Sequence, residues 1–295
     1  MSSQEEEQQI PLCTTEWLDR QLQKPNHDVV LLHCTWDARY DDYKIERIPG
    51  ALLFNGVECR TQDAQHKNML PTAEQFGTYV TKLGVANTDH VVCYTTNVEN
   101  PCAEVACRIW FTFKYFGHDR CSVLDGGLFK WIKEGRPTEG SKPQGKKPFE
   151  CRPRPELVMD FDSVLSNLKL NDDDPTRHKM LDARDSPYYS GVSPCQAGDV
   201  TSGHIAGVQS CPTFEMMYSD THEFKPREQL LKYFEQSGVD LARGFVSTCG
   251  TGRKAAALVF IGALCGCHNV QLYDGSYYEF ANRAPPEFLH RGNAP

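Results

Sequence analysis

No apolar run in this sequence approaches the roughly 18 residues that a membrane-spanning helix requires. A basic excess is missing as well. Lys and Arg number 31 against 39 Asp and Glu, and the net charge of −8 gives no general attraction to nucleic acid or to an anionic membrane surface. The amino end, Met1 to Gln9, is acidic and polar. It has neither the apolar stretch of a secretory signal nor the Arg-rich, acid-poor character of a transit peptide, so a cytoplasmic location is expected. The 13 cysteines lack the even count and regular spacing of a small secreted disulfide framework. In a reducing compartment most of them are expected to be small core hydrophobes. Cys265-Gly266-Cys267-His268 has no second Cys or His pair at zinc-site spacing, and neither a metal nor a cofactor is expected.

What is present is an ordinary globular composition, 40% hydrophobic and 24% charged, on a 295-residue chain long enough for two domains. One stretch carries chemistry. Phe245 to Thr248 is a short β-type run that delivers Cys249 to the turn Gly250-Thr251-Gly252, and Arg253-Lys254-Ala255-Ala256-Ala257-Leu258 begins a helical pattern at once. A cysteine there sits near unpaired backbone N–H groups and the positive end of a helix dipole, which favour thiolate. Gly250 and Gly252 let the backbone curl around the sulfur through conformations that a Cβ would penalise. Thr251 adds a hydroxyl, and Arg253 and Lys254 add positive charge. The plainer alternative is a βα turn around a buried structural cysteine.

Along the chain, strands and helices alternate, which predicts parallel sheets flanked by helices. Thr14 or Thr15 caps a first helix. Val29 to Cys34 and His90 to Tyr94 are apolar runs of strand length, as in strands buried on both faces. Pro71-Thr72-Ala73 opens a helix closed at Leu83-Gly84, and helical spacing runs from Ala103 to Phe116. Between Arg136 and Glu156 the prolines 137, 143, 148, 153 and 155 interrupt any apolar period, so residues 137–156 are expected to be a linker between domains 1–136 and 157–295. The second half repeats the first. Asp182-Ala183-Arg184 echoes Asp37-Ala38-Arg39, Gly203-His204-Ile205-Ala206-Gly207 echoes Arg47-Ile48-Pro49-Gly50-Ala51, and Asp274-Gly275-Ser276 echoes Asp125-Gly126-Gly127. Short matches in the same order mark a duplicated domain.

With these motifs the chain resembles the tandem rhodanese-domain sulfurtransferases from about residue 12 to 284. The Cys249-Gly250-Thr251-Gly252 loop is nearer the Cys-Gly-Ser-Gly of 3-mercaptopyruvate sulfurtransferases than the Cys-Arg-Lys-Gly of thiosulfate sulfurtransferases. The resemblance implies an α/β fold of two rhodanese-like domains, with a catalytic carboxyl-terminal copy and an inactive amino-terminal copy that helps wall the cleft. Thr95 stands where Cys249 would match, and Cys93 and Cys102 are taken as core cysteines. Implied chemistry is transfer of a sulfane sulfur from 3-mercaptopyruvate or thiosulfate, a small sulfur-donor anion, through a Cys249 persulfide to a thiol, cyanide or thioredoxin-like acceptor. A monomer or weak dimer is expected. Thr251 takes the part of the family's serine. Because Asp182 and Arg184 recur as Asp37 and Arg39 in the half without the cysteine, both pairs are read as structural ion pairs. His204 and His33 are read as packed histidines, and Tyr273, Tyr277, Tyr278 and Phe280 as packing for the last helix, with Tyr277 also a candidate for the cleft rim.

Several polar site residues of the mercaptopyruvate enzymes are replaced here. Val57 stands in place of an aspartate and Asn68 in place of a histidine, while His66 lies two residues from the matching place. Tyr188 and Ala197 stand where two arginines hold the substrate carboxylate, and charge-assisted hydrogen bonds of that kind contribute about 1.5–3 kcal/mol each. Arg253 and Lys254 are candidates to bind a small anion instead; alternatively they are solvent-facing first-turn residues. The runner-up function is a degenerate rhodanese pair that binds partners, carries a persulfide or senses redox state. A third reading, phosphatase-like chemistry, is disfavoured because its phosphate cradle wants an arginine where Ala255 stands.

Overall fold

The computed structural model describes residues 11–36, 46–63, 66–95, 103–139, 147–195, 198 and 200–292. The chain divides into two compact units. Unit 1 comprises Met1–Arg60, Pro71–Arg154 and Met217–Phe224, and unit 2 comprises Thr61–Leu70, Pro155–Met216 and Lys225–Pro295. Each unit therefore takes in a short segment from the other half of the sequence.

Unit 1 is built on five parallel strands, β1 (Leu12–Cys13), β2 (Val29–Thr35), β3 (Leu52–Asn55), β4 (His90–Thr95) and β5 (Cys121–Leu124), in the order β1-β5-β4-β2-β3. β2 and β4 are apolar on both faces and lie centrally, where helices on either side exclude water. The helices are α1 (Thr15–Leu22), α2 (Ala73–Leu83), α3 (Glu104–Tyr115) and α4 (Gly127–Lys133). Thr14 caps α1 by accepting from the Trp17 N–H. Thr72 and Gln75 form a reciprocal capping box on α2, which Gly84 closes in a left-handed conformation. Between the sheet and α1 and α4, a core of Leu18, Leu31, Val92, Leu128 and Trp131 is buried.

The described part of the expected linker is not free. Phe149 packs edge-on against Phe76 and Phe113, and the Arg152 and Arg154 amides donate to the Phe116 and Tyr115 carbonyls. The prolines of this stretch supply no donors, but the arginines between them do, and the aromatic side chain needs cover; residues 147–154 thus belong to unit 1.

In unit 2 the parallel strands β6 (Met180–Asp182), β8 (Gln209–Ser210), β9 (Phe245–Thr248) and β10 (Val270–Leu272) run in the order β10-β9-β6-β8. A separate antiparallel pair joins β7 (His204–Ile205) to β11 (Leu289–His290). The helices are α5 (Phe161–Lys169), α6 (Ser186–Tyr189), α7 (Arg227–Gln236), α8 (Arg253–Leu264) and α9 (Ser276–Arg283). Helix α8 is buried along residues 255–262, as its apolar run from Ala255 to Ile261 dictates. Among the described residues no helix is long and apolar enough to cross a membrane.

Sheet register corrects one element of the repeat. Cys93 pairs with Val123 and Ser247 with Leu272, so two residues further on Thr95 matches Cys249 and Asp125 matches Asp274. Across the other neighbour, His33 pairs with Tyr94 and Asp182 with Thr248. The counterpart of Asp182 is therefore His33, four residues before Asp37. Asp37 and Arg39 lie outside the described residues, as do Ala197 and Cys102.

Candidate active site

β9 ends at Thr248, and α8 begins at Arg253 behind Gly252, whose φ of +85° only a glycine adopts without strain. That conformation aims the Gly252 N–H back at the preceding cysteine, 3.1 Å from Cys249 Sγ. Gly250 differs from expectation. It is not left-handed, and a Cβ there would make ordinary contact with Arg184 Cδ at 3.9 Å. Cys249 is 2% exposed, so any negative charge on its sulfur meets backbone dipoles before it meets bulk water.

The turn leading into α9 clamps the loop from the other side. The Tyr277 and Tyr278 amides donate to the carbonyls of Cys249 and Gly250 at 2.9 and 3.0 Å. Ser276 Oγ accepts from the Cys249 N–H at 3.1 Å, donates to the Tyr273 carbonyl at 2.9 Å and lies 4.0 Å from Cys249 Sγ. Its φ is +53°, an unusual conformation for a residue with a Cβ. Sequence reasoning missed Ser276, although one signal was visible: it stands where the first half carries Gly127.

Asp182 and Arg184 form a buried pair, with Arg184 Nη2 2.6 Å from Asp182 Oδ2 and Nε 3.0 Å from both carboxylate oxygens. The guanidinium also donates to the carbonyls of Gly203 and Tyr188 and lies 4.4 Å from the centroid of the Tyr277 ring. Burial works against its charge, but Asp182 outweighs that effect, and Cys249 adds to the stabilisation, so the arginine stays protonated with the sulfur in its field. This electrostatic coupling was not visible in residue spacing.

Lys254 Nζ is held 2.8 and 3.0 Å from the Asp185 carboxylate oxygens, so its charge is already met. Arg253 opens α8 partly buried. Thr251 Oγ1 accepts a hydrogen bond from Asn68 Nδ2 at 2.9 Å. His66 is committed elsewhere, with Nδ1 2.8 Å from Asp63 Oδ1 and Nε2 3.2 Å from Glu279 Oε1.

The remaining candidates lie in packed surroundings. His204 stacks on Tyr189 at 3.8 Å and bonds the Tyr189 carbonyl through Nδ1, and burial lowers its pKa. His33 is held down to about 3, first by burial and then by Arg47. Tyr273, Tyr277, Tyr278 and Phe280 are all buried; Tyr277 is fully enclosed and its hydroxyl donates to the Thr201 carbonyl, so it packs and does not rim an opening. Cys265 and Cys267 are buried thiols, and burial raises the pKa of both. Val57 belongs to unit 1, where its N–H donates to Asn55 Oδ1. Among the described residues no cluster of three or more His, Cys, Asp or Glu side chains is placed to hold a metal ion.

Comparison with known proteins agrees with the fold. The chain matches the Rhodanese-like domain over residues 14–134 and again over 164–283. It is 34% identical to thiosulfate sulfurtransferase of Rattus norvegicus over 287 residues, covering 94% of this chain and 93% of the relative. It is 32% identical to 3-mercaptopyruvate sulfurtransferase of the same species over 288 residues, covering 94% of each. The crystal structure of SseA from Escherichia coli superposes with a TM-score of 0.77 over 90% of this chain and 98% of that one; at 24% identity this is a likeness of fold.

Proposed function

The chain belongs to the rhodanese family, and on that premise we propose that it is a sulfurtransferase that carries sulfane sulfur on Cys249. The observation that carries the reading is the cradle of the sulfur: the Gly252 N–H at 3.1 Å, in a loop clamped by Ser276, Tyr277 and Tyr278, with the Arg184 guanidinium nearby. Such a cradle stabilises a thiolate and, one atom further out, a persulfide anion.

With thiosulfate, the Cys249 thiolate attacks the outer sulfur. A new S–S bond forms, the bond to the sulfonate sulfur breaks, and its electron pair leaves on sulfite. With 3-mercaptopyruvate the broken bond is C–S, and the pair leaves on the enolate of pyruvate, which then takes a proton. An acceptor thiolate or cyanide attacks the outer persulfide sulfur, and the Cys249 thiolate is restored. A small thiol or a thioredoxin-like protein fits the acceptor role, because either presents the soft anionic nucleophile the second step needs. Among the described residues Tyr188 reaches the loop through its carbonyl to Arg184, and a tyrosine there holds a donor carboxylate less strongly than an arginine would.

Intact-protein mass spectrometry after exposure to thiosulfate or 3-mercaptopyruvate tests the reading. The expected result is a one-sulfur adduct on the wild type that is absent in Cys249→Ser. An unmodified wild-type mass with both donors overturns it.

A further inference from the structure

A cavity of about 540 Å³ lies wholly within unit 1, at the amino-terminal edge of its sheet. Strand register builds its floor. Val29 at the start of β2 is opposite His90 at the start of β4, and Val91 is opposite Cys121 of β5, so Asp28, His90 and Arg120 stand side by side. The His90 amide donates to the Asp28 carbonyl and the Val91 amide to the Arg120 carbonyl, both at 2.8 Å. Helix α1 ends at Leu22, and the chain turns back through Asn26 at φ +60°, which leaves Trp17 and Lys24 lining the same space. Parallel α/β sheets bind their ligands at the carboxyl ends of the strands, where Thr95 stands in this unit. This cavity is at the other end, and its volume falls in the range of small-molecule sites.

His90 is 4% exposed, and its ring bonds Ser122 Oγ through Nε2 at 2.8 Å; Nδ1 has no partner among the described residues. Burial, and then Arg120, hold its pKa down to about 4, so the ring is neutral at pH 7. Trp17 stands 5.3 Å from it, centroid to centroid, at 54°, and the indole N–H likewise meets no hydrogen-bond acceptor among the described residues. Two flat rings set at such an angle form a corner that a third ring fills. The charges around the corner do not cancel. Arg120 bonds the Asp28 carboxylate through Nη2 and the Thr88 carbonyl through Nη1, so Arg120 and Asp28 answer one another. Lys24 Nζ is met by the neutral Gln21 Oε1 at 2.8 Å and by no carboxylate of the described residues. One positive charge is left over.

We propose that this cavity binds a small aromatic monocarboxylate, its ring in the corner between Trp17 and His90 and its charge toward Lys24. An imidazole bonded to a hydroxyl can carry its proton on either nitrogen, because the hydroxyl both donates and accepts. A carboxylate therefore selects the tautomer with hydrogen on Nδ1, Ser122 Oγ donating to Nε2, and no net proton is taken up. The indole N–H offers a second donor. A neutral arene leaves Lys24 unanswered, and a dianion exceeds the one unmatched charge. The site does not rest on sulfur transfer, since its residues all belong to unit 1 and Cys249 belongs to unit 2.

The probe is 2-naphthoate, with 2-naphthamide as its neutral counterpart and acetate as an anion without a ring. In nitrogen-labelled full-length protein, the indole N–H signal of Trp17 is identified in NMR spectra by its loss in Trp17→Phe. 2-Naphthoate is expected to shift that signal with a Kd of about 1 mM, the scale for a ligand of this size. 2-Naphthamide is expected to bind at least about tenfold more weakly, the loss of one charge-assisted contact. Lys24 is exposed, so Lys24→Met leaves the fold intact. That variant is expected to weaken 2-naphthoate about tenfold and to leave 2-naphthamide unchanged. Three results overturn the inference: a Trp17 signal unmoved by 2-naphthoate up to about 10 mM, an equal shift with acetate, or an affinity for 2-naphthoate unaltered in Lys24→Met. Sulfur loading of Cys249 bears on the sulfurtransferase reading alone, so the two stand or fall separately.

Discussion

The two units place the same framework around different chemistry. At the end of β4 stands Thr95, and at the matching end of β9 stands Cys249. In both units an aspartate of the following turn accepts the backbone N–H of the segment taken from the other half of the sequence: Asp125 Oδ1 from Phe224 at 2.9 Å, and Asp274 Oδ2 from Leu70 at 2.6 Å. The next elements diverge. Gly127 and Ser276 share φ +53°, but a Cβ on Gly127 would come within 3.0 Å of the Thr95 carbonyl, whereas Ser276 fits and accepts the Cys249 amide. At the position of Asp182, unit 1 has His33, uncharged and 3.3 Å from the Tyr94 hydroxyl. The Asp182–Arg184 pair thus has no counterpart at these register positions, and in unit 2 the sulfur of Cys249 lies in the field of its guanidinium.

The strongest way to break this comparison is to move the sulfur. In a Cys249→Ser background, Thr95→Cys puts a thiol at the matching strand end of unit 1. If the cradle resides in the side chains peculiar to unit 2, no one-sulfur adduct forms and turnover stays at least about 1,000-fold below wild type, the scale lost with a covalent nucleophile. Adduct formation at position 95 of this variant would show that the shared framework suffices.

Next in size is the pair that did not recur. Arg184→Met strands the buried Asp182 carboxylate and is expected to destabilise unit 2 by about 3–5 kcal/mol in denaturant unfolding. Adding Asp182→Asn removes the orphan charge while keeping an acceptor for the backbone amide of position 184, which now bonds Asp182 Oδ1 at 3.0 Å. The double variant is expected to recover most of that stability yet turn over about 10- to 100-fold more slowly than wild type, as preorganised charge beside a reacting atom predicts. Full activity in a refolded double variant would make the pair structural after all.

Much of this contrast was legible in the residues and some was not. The parallel sheets, the caps at Thr14 and Thr72, the Gly84 stop and the β9–Cys249–α8 junction follow from apolar runs, capping chemistry and glycine placement, all local. The correspondence in position between Asp182 and His33 did not, because a three-residue match at Asp37-Ala38-Arg39 outweighed strand register, which is set by long-range pairing. Asn68 was visible only as a departure from a family pattern. Its contact with Thr251 spans 183 positions and depends on a left-handed turn that no periodicity encodes. The pairing of Lys254 with Asp185 across 69 positions was hidden for the same reason.

The smallest expected effect sharpens the comparison within the shared framework. Asp125 holds the Phe224 amide, but burial, reinforced by Glu223, pushes its carboxyl up from 3.8 to about 6. A carboxyl with a raised folded-state pKa contributes its full stability only below the unfolded value near 3.8, and that contribution is lost as pH rises through about 6. At pH 7 the charged form therefore weighs against unit 1. Asn keeps the oxygen that accepts from Phe224 and removes the charge. Asp125→Asn is thus expected to stabilise the protein at pH 7 by about 1 kcal/mol once screening of a partly exposed group is allowed for, a gain of about 2–4 °C in melting temperature. Because the wild-type carboxyl is already neutral there, the gain should vanish below about pH 4. Melting curves of wild type and variant at pH 4 and pH 7 decide the matter. An equal shift at both, or a loss at pH 7, would mean that the aspartate's charge is part of the framework the two units share.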